Sequence, residues 1–98
     1  MTYATISTWK VNSEVEDQDA MWRVIQEKYV PATKSLGASH AAWIETGDGE
    51  TALVSLYPDE ATCNAADAKR AELRSQGASE FDATMTGEMR GEIKASSF

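Results

Sequence analysis

The chain has 98 residues, 42% hydrophobic and 26% charged, with 9 Lys+Arg against 16 Asp+Glu, so its formal charge is 9 − 16 = −7. A fold of 10.7 kDa is expected to keep about 5,500 Å² of about 15,500 Å² accessible, which supports one core and one domain over residues 1–98. This balance excludes collagenous, disulfide-rich and charge-driven disordered classes, and its scattered cations argue against a nucleic-acid partner.

Cys63 is the sole cysteine. An intrachain disulfide and a cysteine-built metal site are therefore excluded, and a reducing or thiol-indifferent compartment is expected. Residues 1–11 carry no basic segment followed by an apolar one, and no window approaches the ~20 apolar residues of a span. The expectation is a cytoplasmic protein with no membrane partner.

Thr2 to Val11 is rich in Thr, Ile, Tyr, Trp and Val and reads as a strand, ended by Asn12-Ser13. From Asp17 the period changes. Met21, Trp22, Ile25, Tyr29, Ala32 and Leu36 share one face of an amphipathic helix, capped by Asp17 or Asp19. Pro31 lacks an N–H and predicts a kink or restart near Val30, before Gly37 ends the helix. Residues 39–46 and 50–57 flank Gly47-Asp48-Gly49, the pattern of a β-hairpin. Pro58-Asp59-Glu60 then supplies a turn, a cap and an acidic start for a helix to about Ser75. Its expected buried stripe is Ala61, Ala65, Ala66 and Ala68, with Leu73 the one large member. Residues 75–80 read as loop, and alternation from about Met85 to Ala95 predicts a last strand.

The order β-α-β-β-α-β specifies an α+β, ferredoxin-like fold, with both helices on one face of a four-stranded antiparallel sheet. Assigning Ile6, Ala52, Val54, Leu56, Met89 and Ile93 to the helices leaves Tyr3, Trp9, Leu53 and Tyr57 on the other face. An aromatic face of that kind calls for a partner, and a homodimer through sheet faces is the economical one.

The element order, the passage GASHAAWIETGDGETALVSLYPDEAT and the closing GEMRGEI strand resemble the dimeric α+β barrel superfamily, in particular its antibiotic biosynthesis monooxygenase-like members. Leu56-Tyr57-Pro58-Asp59-Glu60-Ala61 is similar to that family's aromatic-x-acid-x-Ala stretch. In this chain the acids are more simply read as a helix start. The resemblance implies a pocket between sheet and helices, used by some members for cofactor-free oxygenation of polycyclic aromatics and by others for haem degradation. Asn12 ends the first strand, but no Trp or His lies between Pro58 and Ser75, so haem ligation is disfavoured and no cofactor is expected.

His40 and Tyr57 are the catalytic candidates, His40 because imidazole titrates near neutrality and Tyr57 because it matches a family aromatic. A lone His beside Ala41 and Ala42 is more simply a surface or hydrogen-bonded residue. Trp22, Tyr29, Trp43, Asn64 and Met89 are the ligand-binding candidates. The plainer alternative makes the aromatics core and Asn64 an exposed helix residue. Cys63 reads better as a small buried side chain than as a nucleophile. Glu14/Glu16 and Asp17/Asp19 lack metal-ligand companions, so no metal is expected. Two functions follow: cofactor-independent oxidation of an aromatic or enolisable ligand, or a non-catalytic binding or homodimeric assembly module. A cavity between helices and sheet favours the first, and a filled layer the second.

Overall fold

The computed structural model describes residues 2–98. Strand β1 (Tyr3–Val11) leads to helix α1 (Gln18–Val24), a π-helical turn (Ile25–Tyr29) and helix α2 (Val30–Ser35). Strands β2 (His40–Gly47) and β3 (Glu50–Tyr57) form the hairpin. Helices α3 (Glu60–Ala65) and α4 (Asp67–Phe81) follow, and strand β4 (Ala83–Glu92) closes the sheet. All neighbours pair antiparallel in the order β2-β3-β1-β4, which is the ferredoxin-like arrangement the sequence specifies.

Local chemistry accounts for most boundaries. Asp17 caps α1 by accepting from the Ala20 N–H at 3.0 Å, and Asp59 caps α3 by accepting from the Thr62 N–H at 2.7 Å. The expected restart falls at Val30, and it takes the form of a π-turn just ahead of Pro31. Gly37 stands at φ +109° with its α-carbon against α3, where a Cβ would lie 2.8 Å from Thr62 Cγ2. Gly49 has φ +71° in the hairpin turn.

Several boundaries differ from expectation: the helix after Pro58 breaks at Ala66 and the last strand stops at Glu92 instead of Ala95, and two further differences have clear causes. Residues 75–80 are helical, because α4 runs to Phe81 and is held there by tertiary contacts that outweigh its Ser and Gly content. Lys28 Nζ lies 2.8 Å from Glu80 Oε1, and Gly77 sits where a Cβ would touch the Tyr29 ring at 3.4 Å. Strand β4 starts early, at Ala83, because Asp82 turns the chain in the left-handed region at φ 49° and its carbonyl accepts from the Asn12 N–H.

The buried stripe of α3 and α4 is also not the predicted alanine row. Ala61, Ala65 and Ala68 are exposed. Cys63, Ala66, Arg70, Leu73, Gly77 and Phe81 face inward, at spacings of three and four that continue across the break at Ala66. A small core of Ala38, Tyr57, Cys63 and Ala66 packs under α3, with Tyr3 and Leu36 against it.

The two sheet faces are exchanged relative to the sequence reading. Residues paired across strands share a face, so Thr5 with Ser55 and Ser7 with Leu53 define one side, and Ile6 with Val54 and Met89 the other. The helices cover the side of Thr5, Ser7, Trp9, Leu53, Ser55 and Tyr57. Ile6, Val54 and Leu56 are half-buried on the open side, with Met89 64% and Ile44 47% exposed. Small hydroxyl side chains at Thr5, Ser7 and Ser55 leave volume beneath the helices that aliphatic ones would fill.

Candidate functional site

That volume is a cavity between the helices and the sheet, partly open to solvent, with about 90 Å³ available to the centres of water molecules. One buried water needs about 10–15 Å³ by this measure, so the space is sized for a larger guest. Thr5 and Ser55 lie on its floor at directly paired positions, with Trp9, Leu53 and Trp43 around them. Met21, Ile25 and Tyr29 form one wall from α1 and the π-turn. Arg70, Leu73, Arg74, Gly77 and Phe81 of α4 form the roof. The lining is apolar and aromatic with a few convergent polar groups, the usual makeup of a small-molecule site.

Tyr29 is buried, its hydroxyl donates to Glu80 Oε1, and its ring centroid lies 5.3 Å from that of Phe81. Burial first, then the hydrogen bond and the charge of Glu80, push the phenol well above its ordinary value. Tyr29 is therefore a fixed donor and a wall, not a base. Tyr57 is fully buried at the end of β3, and the Arg70 guanidinium carbon lies 5.1 Å from its ring centroid. Trp9 is oriented by its indole N–H, which donates to Ser7 Oγ at 2.9 Å.

Arg70 is held tightly. It donates to Asp67 and, at 2.9 Å, to the Cys63 carbonyl, while its Nε is buried without a partner. Arg74, one turn on, places Nη1 3.1 Å from Glu88 Oε2, and its Nε is likewise buried and unpartnered. Burial alone would raise the Glu88 carboxyl, but Arg74 and Arg90 outweigh it and hold it below its ordinary value.

Of the residues singled out from sequence, Tyr29, Trp43 and Tyr57 meet in this cavity. The others lie elsewhere. Trp22 points off the shared helix face and borders a separate small groove with Val15 and Glu45. His40 is exposed on edge strand β2, paired opposite Leu56, with Nδ1 3.2 Å from Ser39 Oγ. That register puts it on the open side of the sheet. Asn64 is exposed and its Oδ1 lies 3.4 Å from Arg90 Nη1, while Met89 falls on the open side because it pairs with Ile6. Arg70 and Arg74 are invisible to apolar periodicity, although the three-and-four spacing of their stripe is present in the sequence.

Comparison with solved structures bears on the fold. The chain superposes on HapK from Hahella chejuensis with a TM-score of 0.73 at 18% identity, covering 98% of this chain and 96% of that one. SnoaB from Streptomyces nogalater, a cofactor-independent oxygenase, gives 0.70 at 10% identity over 98% and 96%. These likenesses show a shared fold, the ferredoxin-like α+β arrangement described above. A dimeric ferredoxin-like protein from an uncultured marine organism shares the fold as well, with a TM-score of 0.63 at 16% identity over 97% of each chain. No family model and no curated protein matches the sequence. Among the described residues no helix is long and apolar enough to cross a membrane.

Proposed function

We propose that the cavity binds a small aromatic or enolisable molecule and that the chain promotes its cofactor-independent oxidation. The single observation behind this is an aromatic-walled space over a hydroxyl floor, where a filled layer would have favoured assembly alone. In this reading Trp43 and Tyr29 hold the ring of the ligand. Dioxygen is the oxidant, and the deprotonated substrate supplies the electrons. Tyr57, of the two proton-handling candidates the one at the cavity, assists proton removal by donating its hydroxyl hydrogen bond to the developing oxyanion while the proton passes to water. The oxygenase activity of the similarly folded SnoaB supports the reaction class by analogy of fold.

Oxygen uptake with 2-naphthol and with 1,3-diketones tests this reading. Saturable uptake that falls at least tenfold in Tyr57→Phe is expected. Absence of uptake with both classes, under conditions where 2-naphthol binds, would instead leave a non-catalytic ligand-binding module. That second reading draws on the absence of any histidine or carboxylate among the cavity-lining residues described.

We also propose a homodimer formed through the open sheet face, centred on Ile6, Val54 and Leu56. Accessible surface of the chain is 6059 Å², about a tenth above the scaling value for its mass. An uncovered aliphatic sheet face contributes to an excess of that sign, and the dimeric state of a similarly folded protein supports the same arrangement.

A further inference from the structure

We infer that the cavity takes its ligand as an anion, with Arg74 meeting a carboxylate, phenolate or enolate oxygen and Arg70 beside it supplying the field. This rests on the small-molecule reading above and narrows its ligand class.

The chain carries a net charge of −7, yet the charged side chains lining the cavity are two arginines. They stand four residues apart on α4, so they share a helix face. Each has a buried Nε with no acceptor in the protein. A buried cation short of acceptors is costly, and an anion placed beside it in the cavity relieves part of that cost through its charge.

Neighbouring carboxylates do not fully neutralise the arginine cluster that the pair forms with Arg90. Asp67 serves both Arg70 and Arg90, and Glu88 serves both Arg74 and Arg90. Three guanidinium groups thus share two carboxylates, leaving 3 − 2 = +1. Glu80 does not make up the difference, being engaged by Lys28 and Tyr29. Tyr57 and Cys63, the remaining titratable groups against Arg70, present a ring face, a carbonyl at 2.9 Å and the Cys63 Sγ at 3.5 Å.

The two arginines have different parts to play. Arg70 is 7% exposed at its side chain and is locked by Asp67, Cys63 and the Tyr57 ring. Arg74 is 16% exposed and has one ion-pair partner, Glu88. Arg74 is therefore the guanidinium with donors left to give, and its planar fork suits a carboxylate or a ring-borne oxygen.

The test compares 4-nitrophenol with its uncharged methyl ether, 4-nitroanisole, on the intact protein. Absorbance reports ionisation of the first, and calorimetry reports binding of both. The phenolate is expected to bind at least tenfold more tightly than the ether, with the apparent pKa of bound 4-nitrophenol lowered by about one unit or more. In Arg74→Gln the ratio of the two affinities should fall towards one, and Arg74→Lys should restore part of it. The wild-type comparison stands without any variant. Equal affinities would overturn the anion inference while leaving an aromatic-binding cavity in place. Failure of both probes to bind would overturn the inference together with the small-molecule reading.

Discussion

The Tyr29 hydroxyl donates to Glu80 Oε1 at 2.5 Å, fastening the π-turn after α1 to the last turn of α4. Lys28 reaches the same carboxylate oxygen at 2.8 Å, so one acceptor gathers two consecutive residues. The bond links the π-turn wall of the cavity to its α4 roof. It also explains how a Ser- and Gly-containing segment stays helical to Phe81.

Tyr29→Phe keeps the ring and removes the donor. A hydrogen bond to a charged acceptor contributes roughly 1.5–3 kcal/mol, and partial exposure of this one brings the expectation down to about 1 kcal/mol. For a domain of this size that is a fall in Tm of about 4–8 °C, read by thermal denaturation. An unchanged Tm would mean the helices are held by packing alone.

Acid should destabilise the protein. Asp59, Asp67, Glu80 and Glu88 all have carboxyls held below their ordinary values by hydrogen bonds or by Arg and Lys partners. A carboxylate whose folded value is lowered contributes stability that is fully present above its unfolded value and is lost as pH falls through the folded one. With ordinary values of 3.8 for Asp and 4.5 for Glu, the loss begins as pH drops below about 4.5. Melting curves at a series of pH values should therefore be level from about pH 8 to 6 and decline below about 4.5. A Tm that climbs between about pH 5 and 3 would contradict these pairings.

The element order, the caps at Asp17 and Asp59, the restart at Val30 and the hairpin were legible in the sequence, because each rests on local chemistry. The exchange of sheet faces was not legible. Alternation in β1 and β3 gives two sets of residues, and the more aliphatic one, Ile6, Val54 and Leu56, has the pattern of a core. What placed Thr5, Ser7 and Ser55 under the helices was the volume they leave, a tertiary fact with no periodic signal. The same exchange carried Met89 and His40 away from the cavity, while Tyr29, Trp43 and Tyr57 fell into it. Arg70 and Arg74 were hidden for a related reason: charged residues on an inward helix stripe read as solvated until the cavity is seen.

Two glycines should respond in opposite directions to alanine. Gly37→Ala forces a side chain into φ +109° and 2.8 Å from Thr62 Cγ2, so a loss of roughly 1–2 kcal/mol or more is expected. Gly77→Ala meets Tyr29 at an ordinary contact distance of 3.4 Å in mid-helix, so a gain of roughly 0.5–1 kcal/mol is expected. Urea denaturation of both variants checks the pair, and destabilisation by Gly77→Ala would show that α4 packs more closely on Tyr29 than the contact distance indicates.

The face assignment has its own test in solution. Wild-type protein at micromolar concentration should sediment as a dimer, and Ile6→Asp, which puts a charge on the open face, should weaken association by on the order of 100-fold. Trp9→Asp should disturb the cavity and fold while leaving the association surface intact. Sedimentation of the wild type as a 10.7 kDa species alone would remove the dimer.

Whether the space between helices and sheet holds a ligand is reported most directly by the three tryptophans. Trp9 and Trp43 line the cavity, whereas Trp22 borders a separate groove. In a titration with 2-naphthol followed by proton–nitrogen correlation spectra, the indole signals of Trp9 and Trp43 should shift together and saturate, with that of Trp22 unmoved. Saturable shifts confined to Trp22, or no indole shift at all at millimolar ligand, would contradict a ligand site between helices and sheet.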